Sequence, residues 1–288
     1  RRLFSSTLRG FMADMDPKVL RHKVENINTL PTVPSVLKRL SAVIEKPRIT
    51  IVEISAFISN DPALTTKVLK MVNSAIYGFP GRIASVSHAT MLLGLNVIKG
   101  LLLGVSVFEL MQKTMSGLYE HSLACAVASR VIAQKKNLKE PEEVSVAGLL
   151  HDIGKVILML EFAEEYENAM KEAQEKRVSI FDAEKGQFNA THADVGGWLA
   201  EKWRFPRNLI EVIEFHHRPM LAKNAPLETA IVHMADLLVR ARGFGFAGES
   251  FVPEVNPVAF ELLNLSDQDI KDVLREMEDN MQIAEDIS

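Results

Sequence analysis

Cross-linking chemistry is missing from this chain. Its 288 residues include one cysteine, Cys125, so no internal disulfide can hold the fold and a reducing cytoplasm is the compartment expected. Aromatic side chains are scarce at 7%, which leaves Leu, Ile, Val, Ala and Met to build the core and favours helices over a sandwich or barrel. No stripe dense in Lys and Arg stands out, and the formal net charge is -4, so general nucleic-acid binding is not expected. No apolar run reads as long enough to cross a membrane: the best candidate, Gly100 to Met111, is short and contains Glu109. The start, Arg1-Arg2-Leu3-Phe4, lacks the apolar stretch of a signal peptide and begins without Met, which leaves room for an attached domain upstream. Internal repeats and low-complexity stretches are absent too.

What is present is an ordinary globular balance, 47% hydrophobic and 24% charged residues, in a chain long enough for one large domain or two ordinary ones. Leu30-Pro31-Thr32-Val33-Pro34 reads as a stiff, extended entry, because each Pro biases its predecessor away from helix. Val36, Leu37, Leu40, Val43 and Ile44 then recur at helical spacing until Lys46-Pro47. Thr50 and Glu53 form a capping box, and Asp61-Pro62 pairs an N-cap with a Pro at the first helical position. Tyr77-Gly78-Phe79-Pro80-Gly81 reads as a turn, and Leu92, Leu93, Leu95 and Ile98 as part of an apolar helix. A seam is expected near Leu110 to Gly117. The second half is also helical, with a helix boundary near Gly154, a cap at Thr191, a stop at Pro219, a long helix through Leu227, Ile231, Met234 and Leu238, and a final capped helix from about Ser266. The expected class is all-α: an N-terminal helical subdomain over 17–115, a second helical subdomain over 116–245 and a helical extension over 246–288.

The chemistry lies in scattered His and Asp residues. His151-Asp152 sits inside Gly148-Leu149-Leu150-His151-Asp152-Ile153-Gly154-Lys155, where the leucines argue for burial and a buried carboxylate needs a positive partner. His121 precedes the pair, and His192, His216-His217 and Asp236 follow it. The separations are too long for a zinc finger or an HExxH helix, but ligands delivered singly from different helices suit a site in the heart of a bundle. Nitrogen and carboxylate ligands point to one or two divalent ions, Fe or Mn favoured and Zn or Mg also compatible. Asp152 can bridge two ions, one completed by His121, His151 and Asp236, the other by His192 with one or both of His216 and His217. Asp152 and Lys155 are the candidate catalytic pair, with Lys155 offering a point charge to a phosphate oxygen.

Each residue also has an ordinary explanation. His121 can be an N-cap or surface residue, His192 a helix start, and His216-His217 partners of a helix dipole. His233 reads as structural, one turn before Asp236, and Asp194 as solvated or capping. His22 and His88 read as local hydrogen-bonding residues, and Cys125 as a small core residue. Asp236 is harder to dismiss, because Ala235 and Leu237-Leu238 give it an apolar setting.

His151-Asp152-Ile153-Gly154-Lys155 with His121 and Asp236 resembles the HD superfamily of metal-dependent phosphohydrolases. A narrower likeness covers roughly Val19 to Arg240. Leu30-Pro31-Thr32-Val33-Pro34, Ser59-Asn60-Asp61-Pro62-Ala63-Leu64, Val72-Asn73-Ser74-Ala75-Ile76-Tyr77-Gly78, Leu92-Leu93-Gly94-Leu95, Glu201-Lys202-Trp203-Arg204-Phe205-Pro206 and Phe215-His216-His217 resemble the HDOD family. That resemblance implies an all-helical bacterial signalling or regulatory module with an HD-like subdomain, in a family where many members have lost metal ligands and act by protein contacts. This chain departs from that tendency in carrying a full-looking ligand set, similar to that of HD-GYP phosphodiesterases. Arg218-Pro219-Met220 stands where those enzymes continue to Gly-Tyr-Pro, which argues against cyclic di-GMP as substrate. The expected function is signal transduction through an HDOD module that retains a metal site, with a signalling protein or a nucleotide or phosphoester ligand as partner. The alternative is a metal-dependent phosphohydrolase or phosphodiesterase.

Overall fold

The computed structural model describes residues 16–26, 35–74, 77, 79 and 81–285, and among them every regular element is helical. The entry segment Leu30 to Pro34 and, within the expected turn, Gly78 and Pro80 lie outside the described residues.

Short helices make up the first third: α1 (Pro17–Glu25), α2 (Ser35–Ile44), α3 (Ile51–Ser59) and α4 (Pro62–Val72). Local chemistry sets their starts. Thr50 and Glu53 close a reciprocal capping box on α3, and the Asp61 carboxylate accepts from the Ala63 and Leu64 amides ahead of Pro62. Helices α2, α3 and α4 pack on α5 (Val86–Thr114), which the sequence reading understated, whereas α1 packs on the later helix His192–Lys202. By length and composition α5 is apolar enough to cross a membrane. Here it is a core helix, with Val97, Ile98, Leu101, Leu102 and Leu103 buried. Gly94, at φ 80°, ψ 167°, breaks it into two helical pieces, a backbone state open to glycine but strained for other residues.

Between Leu110 and Gly117 the chain turns a tight corner. α5 ends at Thr114, and Gly117, at φ 92°, opens α6 (Leu118–Lys135). There follow α7 (Pro141–Leu150), α8 (Ile153–Glu161), α9 (Ala163–Lys176), α10 (Ile180–Phe188), α11 (His192–Lys202), α12 (Arg207–Phe215), a single 3-10 turn over Pro219–Leu221 and α13 (Pro226–Arg242). The chain closes with α14 (Pro257–Leu263) and α15 (Asp267–Glu285), whose start is capped by Ser266 and Asp269. Helices α6, α7 and α13 pack together, and α8 lies on α11.

One hydrophobic cluster runs through the molecule from Leu20 to Met281. Two buried side chains, Trp203 and Lys99, are among the polar ties that stitch its N-terminal helices to the end of α11. The Trp203 indole N–H donates to Ser41 Oγ at 2.8 Å, and Lys99 Nζ donates to the carbonyls of Trp203 and Arg204 at 3.0 and 3.2 Å. Burial, with Arg204 nearby, pulls the Lys99 ammonium down to about 8.

The α7–α8 boundary falls at His151-Asp152 itself, slightly ahead of the expected Gly154. Gly154 serves a different purpose. A Cβ there would lie 2.0 Å from the His192 carbonyl oxygen, so its missing side chain lets α8 and α11 touch backbone to backbone. Gly154→Ala should therefore cost about 3 kcal/mol by overpacking. Gly186→Ala, in α10 with nothing within 4 Å of the new methyl, should gain roughly 0.5–1 kcal/mol. Urea unfolding of the two variants beside the wild type checks both signs.

Candidate metal centre

Four of the elements bring their ends to one place. His151 is the last residue of the α7 turn, Asp152 precedes α8, His192 opens α11 and His216 closes α12. His121 comes from the first turn of α6, and Asp236 from the middle of α13, off its Ile231–Met234 stripe. His121, His151, Asp152, His192, His216 and Asp236 are at most 1% exposed, and His217 is half-buried.

Asp is a favoured N-cap, yet the Asp152 carboxylate makes no capping bond to its own helix. It turns into the cluster, and its two oxygens face different partners. Oδ1 lies 3.2 Å from His192 Nε2 and 3.9 Å from His216 Nε2. Oδ2 lies 3.4 Å from His151 Nε2, 3.6 Å from His121 Nε2 and 2.7 Å from Lys155 Nζ. Asp236 Oδ1 lies 3.0 Å from His121 Nε2 and 3.9 Å from His151 Nε2. Two donor groups result: His121, Cys125, His151 and Asp236 in one, Asp152, His192, His216 and His217 in the other, each with its ligand atoms within 4.8 Å of one another.

In three of these histidines the other ring nitrogen is already engaged. His151 Nδ1 and His216 Nδ1 donate to the carbonyls of Gly148 and Ile213, each at 2.7 Å. His192 Nδ1 donates to Glu184 Oε2 at 2.6 Å; Glu184 also accepts from the His192 amide and the Tyr166 hydroxyl. With the protons held at Nδ1, the Nε2 lone pairs point inward. His192 Nε2 is 2.9 Å from His217 Nε2 and 3.4 Å from His216 Nε2, and a lone-pair cluster of that kind calls for a cation. His151 Nε2 and Asp152 Oδ1 are buried with no hydrogen-bond partner.

Charge tells the same story. Four buried carboxylates, Asp152, Glu184, Asp236 and Glu249, face two buried cations, Lys155 and Arg240, leaving an excess of negative charge in a dry interior. Against burial, which raises a carboxyl pKa, His151 and Lys155 hold Asp152 well below the usual range, and Arg240 and His121 do so for Asp236. Burial pulls His121 down to about 4, and burial together with the neighbouring imidazoles pulls His216 and His217 well below the usual value. His151 goes the other way: against burial, Asp152 raises it. Burial lifts the Cys125 thiol, 3.6 Å from His121 Nε2, well above its ordinary value, which favours the nitrogen and oxygen donors over sulfur.

Lys155 is fully buried, ion-paired to Asp152 and bonded to the Ala247 carbonyl at 2.8 Å, so in this conformation it faces the centre rather than solvent. His233 is satisfied structurally, donating to the His216 carbonyl and accepting from the Asn256 amide, with no bond to Asp236. Asp194 completes a capping box with Thr191, while His22 and His88 are exposed and apart from the centre. Sequence reasoning passed over Glu184, Arg240 and Glu249. Glu184 shares the buried face of α10 with Ile180 and Phe188, and Arg240 stands four residues after Asp236 on one helix, both legible spacings. Glu249 follows a glycine-rich loop and carries no such signal.

In metal-free protein the neutral histidines set the pH response. His121, His216 and His217 stay neutral in the fold, whereas the unfolded chain protonates them below about 6.5. Unfolding then takes up protons, so stability falls as pH drops from about 6.5 towards 4; His233, also lowered by burial, adds to the loss, while His151, Glu214 and Glu249, all raised, oppose it. His121 alone should contribute about 2 kcal/mol of loss by pH 5. Calorimetric melting after exhaustive chelation should show the midpoint falling between pH 7 and pH 5, and a rise would contradict this balance.

Comparison with known proteins fits this architecture. The HDOD domain model matches residues 30–219, more than half of the chain. Over 205 residues the chain is 28% identical to an uncharacterized protein of Treponema pallidum (strain Nichols), a match that takes in 67% of this chain and 38% of that protein. The chain thus spans well under half the length of that relative. The structure of an HDOD domain protein of unknown function from Geobacter sulfurreducens is similar with a TM-score of 0.66 and 26% identity, covering 94% of this chain and 98% of the other. A protein from Marinobacter aquaeolei VT8 described as a signal transduction protein gives a TM-score of 0.67 at 16% identity, covering 92% of this chain and 61% of the other. With its helical core, its motifs and this span of matched residues, the chain belongs to the HDOD family.

Proposed function

We propose that this chain is a regulatory HDOD module of bacterial, cytoplasmic signal transduction whose buried His/Asp centre holds divalent metal. The division of the Asp152 oxygens between two sets of inward-pointing donors carries this reading. His121, His151 and Asp236 would hold one ion, His192, His216 and His217 a second, and Asp152 would bridge them, with Fe or Mn the favoured metals and Zn or Mg compatible. Glu184 steadies His192 from behind, and Lys155 steadies Asp152. The regulatory role is supported by family membership, by the name given to the Marinobacter aquaeolei protein and by the closure of the centre, whose ligands other than His217 are at most 1% exposed. Its partner is a signalling protein or a nucleotide or phosphoester ligand.

A second reading, a metal-dependent phosphohydrolase, is favoured by the same bridging carboxylate. Paired ions, when bound, activate water and stabilise both oxygens of a phosphoryl displacement. In that reading Asp152 organises the ions and Lys155 meets the phosphate.

Protein purified without chelator should carry one to two equivalents of transition metal by elemental analysis. Stripping the metal should remove about 3 kcal/mol of stability, roughly 5–10 °C in melting temperature for a chain of this size. Metal-free protein that melts identically with and without added Mn or Fe refutes the metal reading. Turnover of a phosphoester panel by the Mn- or Fe-loaded wild type, lost in Asp152→Ala, would select the enzyme; equal inactivity of the two selects the regulatory module.

A further inference from the structure

The two donor groups of the centre are not equally closed. His121, Cys125, His151 and Asp236 are all at most 1% exposed, whereas the second group contains the half-buried His217. The least covered approach from solvent to the ligand atoms therefore ends at His217. Phe181 covers that ring, its centroid 5.0 Å away at a tilt of 56°. The same phenyl ring stands edge-on to His192 at 6.4 Å. Phe181 supplies no ligand, and its own burial is partial.

The first turn of α10 brings both Phe181 and Glu184 to the centre, and they act on it differently. Glu184 anchors His192 from behind through hydrogen bonds, while Phe181 meets the imidazoles by ring contact alone. The backbone beneath Phe181 is fixed, because Ser179 accepts from the Asp182 amide and donates to its carboxylate. Arg218 rests on the phenyl ring, its guanidinium carbon 5.2 Å from the centroid in a cation–π contact. Its Nη2 lies 3.7 Å from Asp194 Oδ1, beyond hydrogen-bond range, and the other Asp194 oxygen serves the cap of α11. Arg218 Nε is buried with no hydrogen-bond partner. A guanidinium held by stacking and a long ion pair is loosely tied, so side-chain rotation alone clears it and the ring from His217.

We propose that Phe181 and Arg218 form the gate through which divalent metal exchanges at the second donor group, and that an ion at the first group is sealed in behind it. The proposal rests on the metal reading and goes beyond it by making the two positions kinetically unequal. From His217, the first group is reached only past the Asp152 carboxylate and the His151 and His216 rings, which pack edge to face at 5.0 Å. Occupancy of the second position can then follow the free metal concentration while the first stays filled, which gives a regulatory module a graded input. Gate residues meet the ion only in passage, so they set the rates of entry and exit together and leave the affinity to the ligands.

Mn²⁺ is the probe, on the full chain, and metal content is measured first. Loaded protein is held with excess chelator for timed intervals, desalted and analysed for retained Mn, and uptake by stripped protein is timed in the same way. Wild type should lose one equivalent about tenfold faster than the other, and His217→Ala, which removes a ligand of the second group only, should lack the fast one. Phe181→Ala should speed both loss and uptake of the fast equivalent by about tenfold, and Arg218→Gln by about threefold, with the slow equivalent and the Mn²⁺ affinity unchanged. Phe181→Trp should slow both directions. Release of both ions at one rate in the wild type overturns the inequality. A Phe181→Ala protein that releases faster, takes up no faster and binds more weakly makes Phe181 a support of the ligands and overturns the gate. Uptake of a single ion, held as long by Phe181→Ala as by wild type, overturns it too. Two-ion loading with unchanged rates in every gate variant sinks the gate and leaves the metal reading standing. A chain that takes up no metal sinks both, and the metal content shows this before any rate is measured.

Discussion

An ionised carboxylate in a dry helical interior is the constraint on which this molecule depends. Moving such a group out of water costs several kcal/mol unless positive charge meets it at close range. Asp152 and Asp236 are both buried, and both are held ionised by what surrounds them. Lys155 and Arg240 supply part of the compensation, but Glu184 and Glu249 add further negative charge to the same region. The inward lone pairs of the histidines cannot offset it while they remain neutral. A cation is the economical solution, and two groups of donor atoms flank the Asp152 carboxylate.

That constraint explains an architecture in which helix ends matter more than helix faces. A side chain at a terminus projects beyond the cylinder of its own backbone, so several termini can meet at a point where several faces could not. His151, Asp152, His192 and His216 all occupy such positions. Bringing the ends together requires backbone contact, and Gly154 against the His192 carbonyl provides it. The same helices carry the centre's geometry outward: α11 begins at His192 and ends where Trp203 and Lys99 lock it to the N-terminal helices.

Closure distinguishes this centre from an open catalytic cleft. Its charged residues are tied down by residues 243–250, where Lys155 donates to the Ala247 carbonyl and Arg240 to the Glu249 carboxylate.

By itself the sequence determined the helical class, most helix starts and the residue types of the centre. Capping is chemistry between neighbours, so Thr50 with Glu53, Asp61 with Pro62 and Thr191 with Asp194 could be read locally. The oddity of His151-Asp152 between leucines was also local, because burial of a charge is implied by its immediate context. Tertiary structure alone decided which oxygen of Asp152 faces which imidazole, that Glu184 stands behind His192, and that Glu249 reaches Arg240. It also decided that the short apolar run around Gly100 belongs to a long core helix. The physical reason is range: capping and periodicity act within a few residues, whereas ion pairing and dry burial act between segments tens of residues apart, whose meeting depends on packing rather than on order along the chain.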